Sequence, residues 1–197
     1  ELDVWLSTDG VLFVNHDAVF KGHNVEQSSS AELSAIILDN GEHMPTLDEY
    51  LAKAKTLKTR IVLELKAHQT KEKEAEAVAK IVEMVEKYGL TDRTEYISFS
   101  LFACKEFKRV APQGTDIYYL NGELSPVELK TLGFAGFDYS MGPIKKHPEW
   151  IEEAHKLGLK VNVWTIDKEA DMQWLIDQKV DFITTNEPVL LQQLLRK

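Results

Sequence analysis

The sequence predicts an α/β domain of the closed (β/α)8, or TIM-barrel, class, with the first β/α unit absent from this chain. Three observations lead there. Short apolar or β-branched runs alternate with helix-period segments, the pattern of parallel strands covered by helices. Seven strand-helix units are counted, one short of the eight that close a barrel. No glycine-rich strand-to-helix turn marks the nucleotide crevice of an open doubly wound sheet. At 197 residues and 44% hydrophobic, the chain can bury one sizeable core, so 1–197 reads as one barrel domain.

The opening stretch, ELDVWLSTDGVLFVNHD (1–17), reads as a hairpin. Asp9-Gly10 lies between two apolar runs and is a strong two-residue turn signal. With those two residues as the turn, Leu6 faces Phe13 and Asp3 faces His16; alternation puts Glu1 on the same side as Asp3. The stretch 18–44 holds no strong strand or long-helix pattern and reads as an insertion over the barrel mouth. Thr46 with Glu49 three residues on makes a capping box for a helix in PTLDEYLAKAKTL. The run RIVLELK (60–66) is the next strand. In the following helix, Val78, Ile81, Val82, Val85 and Tyr88 share one face, and Gly89 ends it. Strands follow at EYISFS (95–100), DIYYL (116–120), GFDYSM (136–141), KVNVWTI (160–166) and DFITTN (181–186). Helices lie between them at 101–111, 148–157, 168–178 and 187–196, and in SPVELKTLG, which runs from the cap Ser125 through a first-turn proline to Gly133.

Composition closes several routes. A net charge of −9 with no Lys/Arg stripe argues against a nucleic-acid partner. Cys104 is the only cysteine, which excludes an intrachain disulfide and a cysteine-based zinc site. No apolar run approaches the roughly 20 residues of a membrane span. An acidic chain that handles an anionic substrate needs a metal or a local cationic pocket to overcome its own field.

The strand at 60–66 carries both Glu64 and Lys66, whose i, i+2 spacing points them the same way. A buried charge is costly unless paired or bound to metal. One reading is an internal Glu–Lys ion pair, or two charges at an exposed strand end. The other is a carboxylate ligand beside a cation that meets a phosphate. Joined to Glu1 and Asp3, Glu64 completes three carboxylates, an oxygen-rich set suited to one divalent cation, Mg²⁺ or Ca²⁺, rather than zinc. His16, placed opposite Asp3, is the candidate acid/base. Asp17 either orients the loop or begins the turn. His68 either approaches the substrate from its loop or is an exposed loop histidine. Ser98 and Ser100 lack the glycines of a nucleophile elbow.

These residues resemble the glycerophosphodiester phosphodiesterase family. The match runs through Glu1-x-Asp3, Asp9-Gly10, His16-Asp17, Pro45-Thr46-Leu47 with Glu49, and LELK (63–66). VNVWTI (161–166) and VDFITTNEP (180–188) are similar to that family's last two strands. The resemblance implies a TIM barrel with a small insertion after the second strand, and metal-dependent cleavage of glycerophosphodiesters to glycerol phosphate and an alcohol. By the matching motifs it implies Glu1, Asp3 and Glu64 as metal ligands and His16 as one of two catalytic histidines. Lys66 would stand near the phosphate and Trp164 at the glycerol end. The family's His-Arg-Gly and Pro-Glu-Asn motifs do not occur here. Both would precede Glu1, in the unit that the strand count also finds absent.

The expected partner is therefore a small-molecule glycerophosphodiester. Two rival expectations stand beside it: a lysophospholipase D or phosphoinositide-cleaving relative, which an apolar rim on 18–44 would favour, and a non-catalytic barrel that binds phosphodiesters.

Overall fold

Strand β1, Leu2–Leu6, is buried along its whole length and is paired on both edges. It runs antiparallel to β2, Leu12–Val14, and parallel to β5, Ile61–Leu65. These are the elements of a computed structural model that describes residues 1–196. The chain falls into two units, Glu1–Ile117 and a second beginning at Tyr118.

In the first unit the strand order is β6-β5-β1-β2, with β6 spanning Thr94–Ser98 and parallel to β5. The β1–β2 hairpin departs from the expected register by one residue. Leu6 faces Leu12 and Trp5 faces Phe13, so the loop holds three residues, Thr8-Asp9-Gly10. Ser7 N–H donates to Val11 O at 2.9 Å, and Gly10 takes a left-handed φ of 80°. A turn followed by a left-handed glycine is the usual three-residue hairpin loop. A one-residue slip moves every side chain to the other face. Asp3 therefore lies beside Asn15, whose N–H donates to Asp3 O at 3.0 Å, and not opposite His16.

The insertion is more structured than its sequence suggests. Two short strands, β3 (Val19–Phe20) and β4 (His23–Asn24), form a small antiparallel pair, and α1 spans Ser30–Ser34. Val25, Leu33, Ile36 and Met44 pack with Trp5 and Phe13 into one buried cluster. Asp9 clamps the hairpin tip to the start of α1: its carboxylate accepts from Ser7 Oγ at 2.7 Å, Ser30 N at 2.9 Å and Ser30 Oγ at 2.6 Å. The hydroxyls of Ser30 and Ser7 pull the Asp9 pKa down to about 2.

Helix α2, Leu47–Ala54, starts at the expected Thr46–Glu49 capping box. Helix α3, Lys71–Lys87, buries Val78, Ile81, Val82 and Val85 and stops before Gly89, whose φ is 67°. Helix α4, Leu101–Val110, follows β6 and is capped by Ser100.

The second unit repeats the alternation. Strands β7 (Ile117–Tyr119), β8 (Gly136–Ser140), β9 (Lys160–Trp164) and β10 (Phe182–Ile183) are paired in that order, all parallel. Helices α5 (Pro126–Thr131), α6 (Met141–Lys146), α7 (Glu149–Lys156), α8 (Glu169–Asp177) and α9 (Pro188–Leu194) connect and follow them. Every expected strand run is found, with β10 reduced to two residues.

Gly136 shows why one strand position tolerates no side chain. A Cβ there would stand 1.9 Å from Lys160 O, inside the backbone of the neighbouring strand. Gly136→Ala must part β8 from β9 and is expected to cost about 1–3 kcal/mol, read by denaturant unfolding. Unchanged stability would contradict the close approach.

Candidate functional site

The first unit gathers its carboxylates through one rung of parallel pairing. Asp3 on β1 lies directly beside Glu64 on β5, and laterally paired residues point to the same side of a sheet. Glu1, just before β1, and Lys66, just after β5, lie two residues from Asp3 and Glu64 and share that side. The Lys66 amine bonds both neighbours, with Nζ 2.8 Å from Asp3 Oδ1 and 2.9 Å from Glu64 Oε1. One oxygen from each of Glu1, Asp3 and Glu64 can be chosen so that all three lie within 4.8 Å of one another. Asp3 is 9% exposed and Glu64 6%; Glu1 stands at the open side.

Fully ionised, three carboxylates against one ammonium would carry two negative charges in excess. Burial pushes the Glu64 carboxyl up to about 7; the Lys66 amine opposes the rise, and the Asp3 and Glu1 charges add to it. Glu1 is raised as well, by loss of surrounding water and by Asp3. For Lys66, burial works toward deprotonation, but the Asp3 and Glu64 carboxylates outweigh it and raise its pKa.

The donor set fits a hard divalent cation. All three groups are oxygen donors, with none of the nitrogen or sulfur that zinc prefers. Glu64 Oε1 is buried, and its close contact is the Lys66 amine at 2.9 Å. The sequence left open whether Glu64 and Lys66 are an ion pair or parts of a site. The structure has the ion pair, and it lies inside the carboxylate cluster.

His16 follows the end of β2 and is exposed. Its Nδ1 lies 2.8 Å from Asp17 Oδ1, so Asp17 orients the imidazole. Trp164 belongs to the second unit, at the end of β9, where its indole N–H donates to Asp138 O at 2.9 Å.

Sequence reasoning missed a buried polar frame behind the cluster. Glu26 accepts from Gln69 N at 3.0 Å, tying the insertion to the loop after β5. Glu74 accepts from His68 N at 3.2 Å and from Ser100 Oγ at 2.7 Å. Ser98 Oγ donates to Leu65 O at 2.7 Å. Both serines are thus committed to structure. His68 is not a free loop histidine, since both its ring nitrogens meet backbone groups. Backbone partners leave no mark in a sequence, so no motif announces these residues.

A profile of the Glycerophosphoryl diester phosphodiesterase family matches residues 1–190. The chain is similar to a glycerophosphodiester phosphodiesterase of Caldanaerobacter subterraneus subsp. tengcongensis. The two are 27% identical over 212 aligned positions, which cover all of this chain and 85% of that protein. Among solved structures, a glycerophosphodiester phosphodiesterase from Parabacteroides distasonis superposes with a TM-score of 0.96 at 45% identity. That match covers 99% of this chain and 82% of the other. A phosphodiesterase from Oleispira antarctica, solved with its product sn-glycerol-3-phosphate, shares the fold with a TM-score of 0.79 at 22% identity. It covers 100% of this chain and 84% of its own. The fold class is the TIM barrel that the alternation predicted.

The raised Glu64 carboxyl has a consequence for stability. A carboxyl whose folded-state pKa exceeds its unfolded value stabilises fully below the unfolded pKa and loses that contribution as pH rises through the folded one. For Glu64 the window runs from the ordinary 4.5 to about 7. In cation-free buffer, Glu64→Gln is therefore expected to gain about 1–3 kcal/mol relative to the parent between pH 5 and pH 8. Denaturant unfolding at the two pH values reads the difference, and a gap that does not change with pH would contradict the assignment.

Proposed function

The chain belongs to the glycerophosphoryl diester phosphodiesterase family, and from that premise we propose that it hydrolyses glycerophosphodiesters with one divalent cation, Mg²⁺ or Ca²⁺, held by Glu1, Asp3 and Glu64. The observation that carries this reading is the convergence of three carboxylates, two of them buried, around a lysine that offsets only part of their charge. When bound, such a cation supplies charge that polarises the phosphoryl oxygens and offsets the negative charge developing as the P–O bond breaks.

The chain's own groups supply a fixed positive charge and one proton-exchanging histidine. Asp3 and Glu64 hold the Lys66 amine fixed and protonated. A positive charge positioned before reaction needs no reorganisation to meet a phosphate. His16 exchanges a proton with the entering or leaving oxygen. Its Nδ1 engages Asp17, which leaves Nε2 as the exchanging atom. Attack by the substrate's own glycerol hydroxyl forms a cyclic phosphate first, whereas attack by water gives glycerol phosphate directly. A short quench in isotopically labelled water separates the two routes. Trp164 is assigned to substrate binding by sequence resemblance.

Two side chains favour a second reading. Val19 and Ile37, both in the insertion, are more than half exposed, and exposed apolar side chains in that segment are what a lysophospholipid substrate would call for. Comparing lysophosphatidylcholine with glycerophosphocholine decides between them.

The test follows product by phosphorus NMR with glycerophosphocholine, with Mg²⁺ or Ca²⁺ added or a chelator present. Glycerol phosphate is expected with the cation and not with the chelator. Asp3→Asn is expected to lower kcat/KM about 100-fold or more, the loss of a direct contact to the charge-stabilising group. Full turnover in chelator would overturn the ligand assignment. Binding of glycerophosphocholine without turnover would overturn the enzyme reading in favour of a phosphodiester-binding barrel.

A further inference from the structure

The ladder between β1 and β5 has an unusual last rung. In a parallel pair, one residue's N–H and C=O bond two residues of the neighbouring strand that flank it. Lys66 begins that pattern, its N–H donating to Val4 O at 3.1 Å. The next bond in sequence would run from Leu6 N–H to Lys66 O. Instead an imidazole stands between them. Leu6 N–H donates to His68 Nε2 at 3.0 Å, and His68 Nδ1 lies 2.7 Å from Lys66 O.

The two contacts define the ring's protonation. An amide N–H can only donate, so Nε2 is the acceptor and carries no proton. A carbonyl can only accept, so Nδ1 carries it. The imidazole is neutral and bridges the fork where β1 leaves for its hairpin and β5 turns toward α3.

Packing holds the ring in place. The Trp5 indole lies against it at 5.4 Å between centroids, and the backbone N–H of His68 is tied to Glu74. Burial keeps the ring neutral by lowering its pKa, with the Lys66 carbonyl, Glu26 and Glu74 opposing. Asp3, Glu64 and Lys66 stand at or next to the last regular rungs before this fork.

We propose that His68 is a positioning residue of the carboxylate site: its ring replaces the final β1–β5 rung and so sets the spacing at which Asp3, Glu64 and Lys66 meet. The proposal rests on the reading of these carboxylates as cation ligands, and it concerns a residue that touches neither substrate nor cation. Outer partners that orient metal ligands commonly govern affinity by 10- to 100-fold.

Two substitutions separate bridging from filling space. His68→Phe keeps a ring against Trp5 and removes both hydrogen bonds. His68→Gln loses the ring and restores an acceptor and a donor on one planar group. Long-range ¹⁵N–¹H spectra of the parent protein at neutral pH should show the proton on Nδ1, and the Leu6 amide should exchange slowly. In His68→Phe, Leu6 exchange should rise and Mg²⁺ affinity by calorimetry should fall about tenfold. For glycerophosphocholine at fixed subsaturating Mg²⁺, the loss should fall on kcat more than on KM. His68→Gln should restore Leu6 protection and bring Mg²⁺ affinity back to within about threefold of the parent, a margin small beside that tenfold loss.

A proton on Nε2, or a His68→Phe variant with faster Leu6 exchange and undiminished Mg²⁺ affinity, overturns the proposal. Should His68→Phe fail to fold, His68→Gln carries the test alone. Protected Leu6 with native affinity then supports the bridge, and protected Leu6 with a tenfold loss overturns it. A parent protein that binds neither Mg²⁺ nor Ca²⁺ would sink the ligand reading instead, and the spacing role with it. The tautomer and the Leu6 exchange would still decide whether the bridge exists.

Discussion

One amine holds two strands' worth of negative charge. Lys66 Nζ lies within 3 Å of carboxylate oxygens on both β1 and β5, and most of what the site can do follows from that contact. Like charges brought together under partial burial resist ionisation. The cluster exists because the parallel register sets Asp3 beside Glu64 and returns Lys66 to the same side two residues later. Without the amine, two buried carboxylates would repel across the pairing that brings them together. With it, the cluster remains short of positive charge, the condition under which a divalent cation is favoured.

The elements around this contact hold it in place. The insertion lays Val25, Leu33, Ile36 and Met44 over Trp5 and Phe13, on the face of β1 that also carries Asp3. Asp9 ties the hairpin tip to the insertion through Ser30. Glu26 ties the insertion to the loop after β5 through Gln69. Glu74 links that loop to the start of α4 through His68 and Ser100. The links through Glu26 and Glu74 are hydrogen bonds to buried carboxylates, the kind that is costly to leave unmade; the Asp9 link lies at the surface. Together they restrain both strand ends that carry the ionisable groups.

Much of this was legible in the sequence. Alternation alone grouped Glu1 with Asp3 and Glu64 with Lys66, because side-chain period in a strand is independent of the fold around it. Helix ends were legible where capping chemistry is local, as at Thr46–Glu49, Ser125 and Gly89. The hairpin register was not, because Asp-Gly closes either a two-residue or a three-residue loop. Gly10 is left-handed in both, but a two-residue turn also needs Asp9 left-handed; Asp9 is not, so the loop is the longer one and His16 moves off Asp3. The insertion's core was hidden because Val25, Leu33, Ile36 and Met44 come from a single helical turn, a five-residue helix and loop segments rather than from one long periodic element. His68, Glu26 and Glu74 were invisible for another reason: their partners include backbone groups, which every residue type offers alike.

The central claim is that Glu1, Asp3 and Glu64 together form a cation site beside Lys66. Anomalous diffraction from crystals soaked in Mn²⁺, a stand-in for Mg²⁺ with its own signal, tests it most directly. The account predicts a peak with oxygens of all three residues within about 2.0–2.6 Å and the Lys66 amine outside that shell. A Lys66 amine still seated between Asp3 and Glu64, with no peak among the three carboxylates at saturating Mn²⁺, would contradict it.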